Sequence, residues 1–514
     1  MLRIGIDVGG TNTDAVLLEG RQVVGWVKTS TTADVTSGIT AALQRLLATH
    51  PVDMHAIRGV MIGTTHFTNA VVQRRHLMPT AAVRLGLPAT KVLPPMVDWP
   101  ADLRDTIGNH AYLAHGGHEV DGRKISELNE QELRGIAADI RAKGIRSVSI
   151  SSVFSPVNAE FERKAAEILA AELPEAALTI SSEIGRIGLL ERENAAIMNA
   201  CLQDLCQKTI GAFRQALREL AIAAPLFLTQ NDGTLMSADF AEQFPVLTFS
   251  SGATNSMRGA AFLSGLKDGI VVDVGGTTTD VGALINGFPR EASVAVAIGD
   301  VRTNFRMPDV YSFGLGGGSL IQREPLTVGP QSVAFELSTR ALIFGGAELT
   351  TSDVAVALGR ADFGDRSKVA NLDADFAQAV WRRIQEMIAE AVDRMKVSAE
   401  PLPVIVVGGG SILVDDTMRG ASEVVKPDHY PVANAVGAAI AQISGEIEQV
   451  FSLVSLTRDE AVAQAKQEAL NRAIAAGADP ATVEVVDVED VPLAYLPGNA
   501  TRIRAKAVGD LKTN

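Results

Sequence analysis

The chain has 514 residues, too many for one compact core, and its 46% apolar and 21% charged residues are ordinary for a globular protein. With 46 basic and 60 acidic side chains the formal charge is −14, which argues against nucleic acid or an anionic membrane surface as partner but leaves room for a local phosphate pocket. No stretch offers about twenty uncharged apolar residues, and the opening MLRIGIDVGG lacks signal-peptide organisation, so a cytoplasmic protein without a membrane span is expected.

In chain order, residues 2–8 read as a strand, followed by a glycine turn, a strand over 15–18, the turn Glu19-Gly20-Arg21 and a strand over 23–28. A helical pattern covers 35–48 and a strand 57–62. Strands and helices alternate to about Leu173, with a hairpin signal at Asp121-Gly122. Residues 188–220 keep helical periodicity for several turns and are expected to cross the molecule. Cys201 and Cys206 lie within that helix. Their spacing suits neither a disulfide framework nor a metal knuckle, and they read as buried small hydrophobes in a reducing compartment.

A second cycle then begins, with strands over 270–274, 281–285 and 292–298. Residues 373–396 form an amphipathic helix pattern, and 403–407 a buried strand ending in Gly408-Gly409-Gly410-Ser411. Residues 431–443 are a run of small residues suited to a closely packed helix. Beyond Glu446 come a charged helix (458–476), the breaker Gly477-Ala478-Asp479-Pro480 and short strands, read as a separate small α+β unit. The expected division is a first lobe with insertions over 1–175, a second over 176–445 and the small unit over 446–514.

The strongest signal is a repeat. Residues 7–14 (DVGGTNTD) and 273–280 (DVGGTTTD) are identical except at the sixth position, Asn12 against Thr278, and each is framed by strands. Paired glycines (Gly9 and Gly10, Gly275 and Gly276) let backbone N–H groups approach an anion without an intervening Cβ. The hydroxyls of Thr11, Thr13, Thr277, Thr278 and Thr279 add donors. Asp7 and Asp273 suit a hydrated Mg²⁺ bridging phosphates, and Asp14 closes the first repeat. A lone copy reads equally as a tight turn. Two copies, followed by the glycine run at 408–411, point to a nucleotide polyphosphate gripped from both sides, with that run closing over the adenosine.

The paired hairpins resemble the actin, sugar-kinase and Hsp70 superfamily, which implies an α/β fold of two actin-like, ribonuclease-H-like lobes. Gly63-Thr64-Thr65-His66-Phe67-Thr68-Asn69-Ala70, Gly188-Leu189-Leu190-Glu191-Arg192-Glu193, Gln230-Asn231-Asp232-Gly233-Thr234-Leu235-Met236, Ser251-Gly252-Ala253 and Gly316-Gly317-Gly318-Ser319 occur in order and resemble the hydantoinase/oxoprolinase family over about residues 1–440. That resemblance implies an ATP-dependent subunit acting on a hydantoin, 5-oxoproline or a related lactam. The chain departs from longer members at Asn12, where an aromatic is common. It departs again at Tyr311, where many carry a histidine that a second metal site would use.

His66 follows Gly63-Thr64-Thr65, where the resemblance places a strand end near the cleft, and it reads as either substrate-facing or structural. His110, His115 and His118 fall in a glycine-containing stretch and read as a solvated loop. Glu191-Arg192-Glu193 suits a solvated helix face or the cleft. Gly316, Gly317 and Gly318 suit a second close approach to ligand, lined by Arg302, Arg306 and Asp309. The expected reaction uses ATP and Mg²⁺: a cyclic amide oxygen takes the γ-phosphoryl group, water adds to the activated carbon, and the ring opens. Two other readings remain, a small-molecule kinase and a nucleotide switch acting on a partner protein. The resemblance also implies a second, separately encoded hydantoinase B-like subunit and an oligomer. The tail from Arg458 either docks that partner or packs back on its own lobe.

Overall fold

The computed structural model describes residues 2–512 except Gly10, Thr11, 31–34, 293–295, Phe305, Arg306, Ser455 and 494–498. It opens with an antiparallel ladder of β1 (Leu2–Val8), β2 (Asn12–Glu19) and β3 (Gln22–Ser30), and β4 (Ile57–Thr64) joins β1 in parallel. Strand alternation sends Ile4 and Ile6 toward helix Val35–Thr49. Gly5, on the other face, admits the backbone of helix Ala433–Ile440. With both faces covered, β1 reads as a nearly continuous apolar run.

Four strands, β5 (Ala81–Leu87), β6 (His110–His115), β7 (Ser147–Ser152) and β8 (Ala177–Ile180), make a separate parallel sheet in the order β6-β5-β7-β8. It has its own core around Val83, Leu133, Ile150 and Leu169. The 31-residue helix Leu189–Glu219 joins this sheet to the first lobe, in keeping with its expected crossing role, and β9 (Leu226–Thr229) and β10 (Thr234–Ser237) then return to the first sheet. Cys201 and Cys206 are buried free thiols in that helix, and burial pushes Cys201 up to about 12.

The second lobe repeats the opening. β11 (Gly269–Val274), β12 (Thr279–Ile285) and β13 (Phe288–Pro289) are antiparallel. A small hairpin of β14 (Val296–Ile298) and β15 (Val301–Thr303) follows. β16 (Val310–Phe313) pairs with β12, and β17 (Ser319–Gln322) with β18 (Thr327–Ser332). β19 (Leu402–Val407) lies parallel to β11, and β20 (Ala421–Val425) parallel to β19. Helix Ala374–Met395 backs the sheet through Trp381, Ile384 and Ile388. The chain ends with β21 (Gln442–Phe451), helix Arg458–Ala475, β22 (Glu484–Pro492) and β23 (Thr501–Gly509).

Helices Ser251–Ser264 and Ala433–Ile440 cross between the lobes. Their contact depends on missing side chains. A Cβ on Gly259 would lie 1.9 Å from the Ala433 carbonyl oxygen, and one on Gly437 1.9 Å from that of Asn255. The expectation of a helix to residue 443 is corrected here: it ends at Ile440, because from Gln442 the burial alternates with period two and β21 pairs with β10 and β23.

The tail is likewise not a separate unit. The first sheet runs β22-β23-β21-β10-β9-β4-β1-β2-β3, and Met61, Phe227 and Leu235 share a core with Ile447, Ala469 and Ile503. The sheets therefore do not follow the continuous ranges 1–175, 176–445 and 446–514, since the first draws strands from all three. Among the described residues no helix is long and apolar enough to cross a membrane.

Candidate functional site

The two glycine repeats fold alike. Asp7 pairs with Asp14 and Val8 with Thr13; Asp273 pairs with Asp280 and Val274 with Thr279. Each tip closes the same way: Gly9 N–H donates to the Asn12 carbonyl at 3.0 Å, and Gly275 N–H to that of Thr278 at 2.9 Å. Gly10 and Thr11 lie outside the described residues. Thr277 is half-buried, Thr278 exposed, and the amides of Gly276 and Thr277 have no acceptor among the described residues. Two successive amides without a partner at a hairpin tip suit an anion.

The leading aspartates sit at facing strand ends. Asp7 is 4% exposed; Asn434 donates to its Oδ2 at 3.2 Å, and its Oδ1 is buried without a partner. Burial, with the charges of Asp14 and Asp273, pushes Asp7 up to about 7. Asp273 accepts a hydrogen bond from Ser256, and burial raises it as well. In the eighth positions Asp14 accepts from Lys28 Nζ, and Asp280, pushed up to about 6 by burial, accepts from Ser312. Among the described residues no three His, Cys, Asp or Glu side chains converge as a metal cage. Mg²⁺ does not need one, since it keeps several waters and takes one or two carboxylates plus phosphate oxygens. An orphaned carboxylate oxygen on Asp7, within reach of the charge of Asp273, fits such an ion.

The later glycines have another role than expected. Gly316, Gly317, Gly318 and Ser319 are buried against the second hairpin, where Gly317 N–H donates to the Gly275 carbonyl at 3.0 Å and Gly318 N–H to that of Gly276 at 2.8 Å. A Cβ on Gly316 would lie 2.5 Å from Thr277 N. The close approach seen here is to the hairpin backbone, whereas a close approach to ligand was expected. Gly408 (φ +88°) and Gly410 press on the same hairpin, where Gly410 N–H donates to the Val274 carbonyl at 2.7 Å. The hydroxyls of Ser411 and Thr279 donate at 2.7 Å to the Gly408 and Leu315 carbonyls, so both serve local structure. Gly409 alone of its run is exposed, with open space about its Cβ position.

His66 begins helix His66–Val72 just past β4, beside the first hairpin, where Thr64 pairs with Val8. It is half-buried, and burial together with His76 holds its imidazole below the ordinary value. His110 and His115 lie in β6, and His118 is buried against Phe161; a solvated loop is therefore corrected to a strand and its packed end. Arg192 and Glu193 face neither solvent nor cleft. Glu193 binds the fully buried Arg84 and accepts from Ser151 Oγ at 2.6 Å, and Arg192 donates to the Ser152 carbonyl at 2.6 Å, joining the long helix to β5 and β7. Arg302 pairs with Asp98 and Asp309 with Arg290, while Arg306 lies outside the described residues.

Sequence reasoning missed Lys28, Ser256, Ser312 and Asn434. A signal existed for two of them: Asn434 is the lone polar residue of ANAVGAAI, and Lys28 the lone charge of QVVGWVKTS.

A family model described as the hydantoinase/oxoprolinase N-terminal region matches residues 3–173, and one described as hydantoinase/oxoprolinase matches residues 192–365. The caprolactamase subunit alpha of Pseudomonas jessenii is 26% identical over 70% of this chain and 54% of its own length. The acetophenone carboxylase gamma subunit of Aromatoleum aromaticum is 28% identical over 47% of this chain and 34% of its own. An uncharacterised protein of Methanocaldococcus jannaschii is 25% identical over 76% of this chain and 62% of its own. The chain thus spans less than two thirds of the length of these relatives. The crystal structure of the ATP-dependent caprolactamase from Pseudomonas jessenii superposes with a TM-score of 0.78 at 18% identity, covering 99% of this chain and 88% of that one. Nucleotide-free acetone carboxylase superposes with 0.72 at 16%, with the same coverages. The fold is the α/β fold of these two structures, and the chain belongs to the hydantoinase/oxoprolinase family.

Proposed function

We propose that this chain is the ATP-dependent component of an enzyme that opens a small cyclic amide. The observation that carries the proposal is the pair of facing hairpins with one register, each with an aspartate at its floor, and with an unpartnered carboxylate oxygen on Asp7. ATP lies between the lobes, its phosphates met by the tip amides of Gly276 and Thr277 and by the hydroxyls of Thr277 and Thr278. Asp7 and Asp273 would hold Mg²⁺, whose charge would offset that of the phosphates. Gly409 lies at the adenosine end. Relatives named caprolactamase and 5-oxoprolinase support a lactam as the substrate class.

An unstrained amide hydrolyses slowly because its nitrogen is a poor leaving group and its carbon is shielded by resonance. The amide oxygen attacks the γ-phosphorus, the bond to the β–γ bridging oxygen breaks, and ADP leaves. Water adds to the activated carbon and the C–N bond breaks, with nitrogen leaving as an amine. A second water releases phosphate from the resulting acyl phosphate. His66, neutral at pH 7 because burial lowers its pKa, is suited to take a proton from the amide or the attacking water. The subunit names of several relatives support a partner chain in the assembly.

The test is substrate-stimulated ADP release across lactams, hydantoins and imides, with linear amides, and with ketones plus bicarbonate, as comparison arms. It is run with and without the product of the neighbouring gene. The expected result is at least about tenfold stimulation by one cyclic amide, with ring-opened product and phosphate formed together. ADP release indifferent to every cyclic amide in both settings would overturn the reading, and a stably phosphorylated product would mark a kinase.

A further inference from the structure

The two hairpins meet different partners across the strand from their eighth position. The eighth residue of each repeat is aspartate, but across β2–β3 Asp14 faces Lys28, whereas across β12–β16 Asp280 faces Ser312. Lys28 Nζ donates to both oxygens of Asp14, at 2.6 and 2.5 Å. Asp14 is 3% exposed and fixed in the ladder, so the ammonium is held at a defined point. An ammonium has three donors; Asp14 takes two, and 28% of the lysine side chain remains open to solvent. Its charge also reaches Asp7 and Asp273, which places it among the aspartates of both hairpins.

We propose that Lys28, anchored by Asp14, is a catalytic residue that contacts the phosphoryl group leaving ATP, a proposal that rests on the ATP-dependent reading above. During transfer the three equatorial oxygens of that group carry charge near Asp7, Asp14, Asp273 and Asp280, whose charges act on one another, and catalysis there is largely neutralisation and positioning. Ser312 gives the second hairpin no equivalent cation. The terminal phosphoryl group therefore belongs at the first hairpin, near His66, and the second holds the phosphates that remain with ADP.

The experiment compares Lys28→Met, Lys28→Arg and the double variant Lys28→Met/Asp14→Asn with wild type, measuring Mg²⁺-dependent ATP turnover and calorimetric affinity for ATP and ADP. The expected result is at least about a hundredfold loss of turnover in both Lys28→Met backgrounds. ATP affinity falls about tenfold or more, ADP affinity changes less than about twofold, and Lys28→Arg retains part of the activity. The double variant decides the question, because it removes the ion pair without stranding a buried charge. If Lys28 only neutralises Asp14, the double variant returns to within about threefold of wild-type turnover, and the proposal falls. Equal weakening of ATP and ADP overturns it as well. Wild-type protein that binds neither nucleotide removes the ATP reading together with this one. Normal turnover in wild type and in Lys28→Met removes Lys28 alone.

Discussion

Side chains hold the aspartates of both glycine hairpins, and among the described residues a backbone strap is added at the second. Around the first, Asn434 reaches Asp7, Lys28 grips Asp14, and Thr65 N–H approaches the Val8 carbonyl at 3.5 Å. Around the second, the amides of Gly317, Gly318 and Gly410 donate to the carbonyls of Gly275, Gly276 and Val274. A nearly identical octapeptide produces the same register and the same turn in both places. What surrounds the turn comes from elsewhere in the chain: Asn434 and Lys28 at the first, Ser256, Ser312 and the strap of Gly316–Gly318 at the second.

The largest expected effect tests what the hairpins share. Asp7→Asn and Asp273→Asn should each lower Mg²⁺-dependent ATP turnover by at least about a hundredfold, since the amide keeps the shape of the carboxylate and loses its charge. Circular dichroism should stay unchanged. Full turnover in either variant would remove that aspartate from metal binding and leave a single metal-binding hairpin.

The next effect tests the backbone strap. Gly316→Val puts a branched side chain where a Cβ alone would lie 2.5 Å from Thr277 N, so the strap must lift off the hairpin. The expected outcome is a lower unfolding midpoint and nucleotide affinity reduced about tenfold or more, roughly 1.4 kcal/mol. Gly409→Val, which meets open space, should leave the midpoint unchanged and weaken nucleotide binding severalfold through the ligand itself. Wild-type affinity in Gly409→Val would take the adenosine away from that glycine.

These contrasts also mark what the sequence makes legible. The turn was readable because its chemistry is local: two glycines, flanking strands and an aspartate at the strand end. The strand after Ile440 was misread because Gln442-Ile443-Ser444-Gly445 follows seven small and apolar residues without a break, and only the distant pairing with β10 and β23 makes it a strand. Arg192 and Glu193 were misread because their charges suggest solvent, while their partners Arg84, Ser151 and Ser152 lie about forty or more residues upstream. Gly316–Gly318 were recognised as a close approach, but composition alone does not say whether ligand or backbone is approached. Lys28 escaped for a similar reason: its meaning comes from facing Asp14, and register is a property of the ladder.

The smallest effect probes the eighth position directly, because the same substitution should act with different strength in the two hairpins. Asp280 is pushed up to about 6 by burial, with Ser312 in partial opposition. A carboxyl whose folded pKa exceeds its unfolded value binds its proton more tightly when folded. Stability from that group is therefore greatest at low pH and is lost as pH rises through about 6. At pH 8 the buried charge destabilises wild type, by roughly 1–2 kcal/mol given that the side chain is only half-buried. Asp280→Asn removes the charge and keeps the hydroxyl partner, so it should be more stable than wild type at pH 8, with the advantage fading toward pH 5. Asp14→Asn instead strands the ammonium of Lys28 in a cleft that is partly closed to water. Burial raises Asp14 too, against the pull of Lys28, so the loss of its charge and the unpaired ammonium oppose each other, and any gain at pH 8 should be smaller than for Asp280→Asn. Unfolding midpoints of the three proteins between pH 5 and 8 decide the matter. Equal gains from both substitutions at pH 8 would mean that Lys28 supports its aspartate no more firmly than Ser312 does, and the asymmetry between the hairpins would then lie in the backbone strap alone.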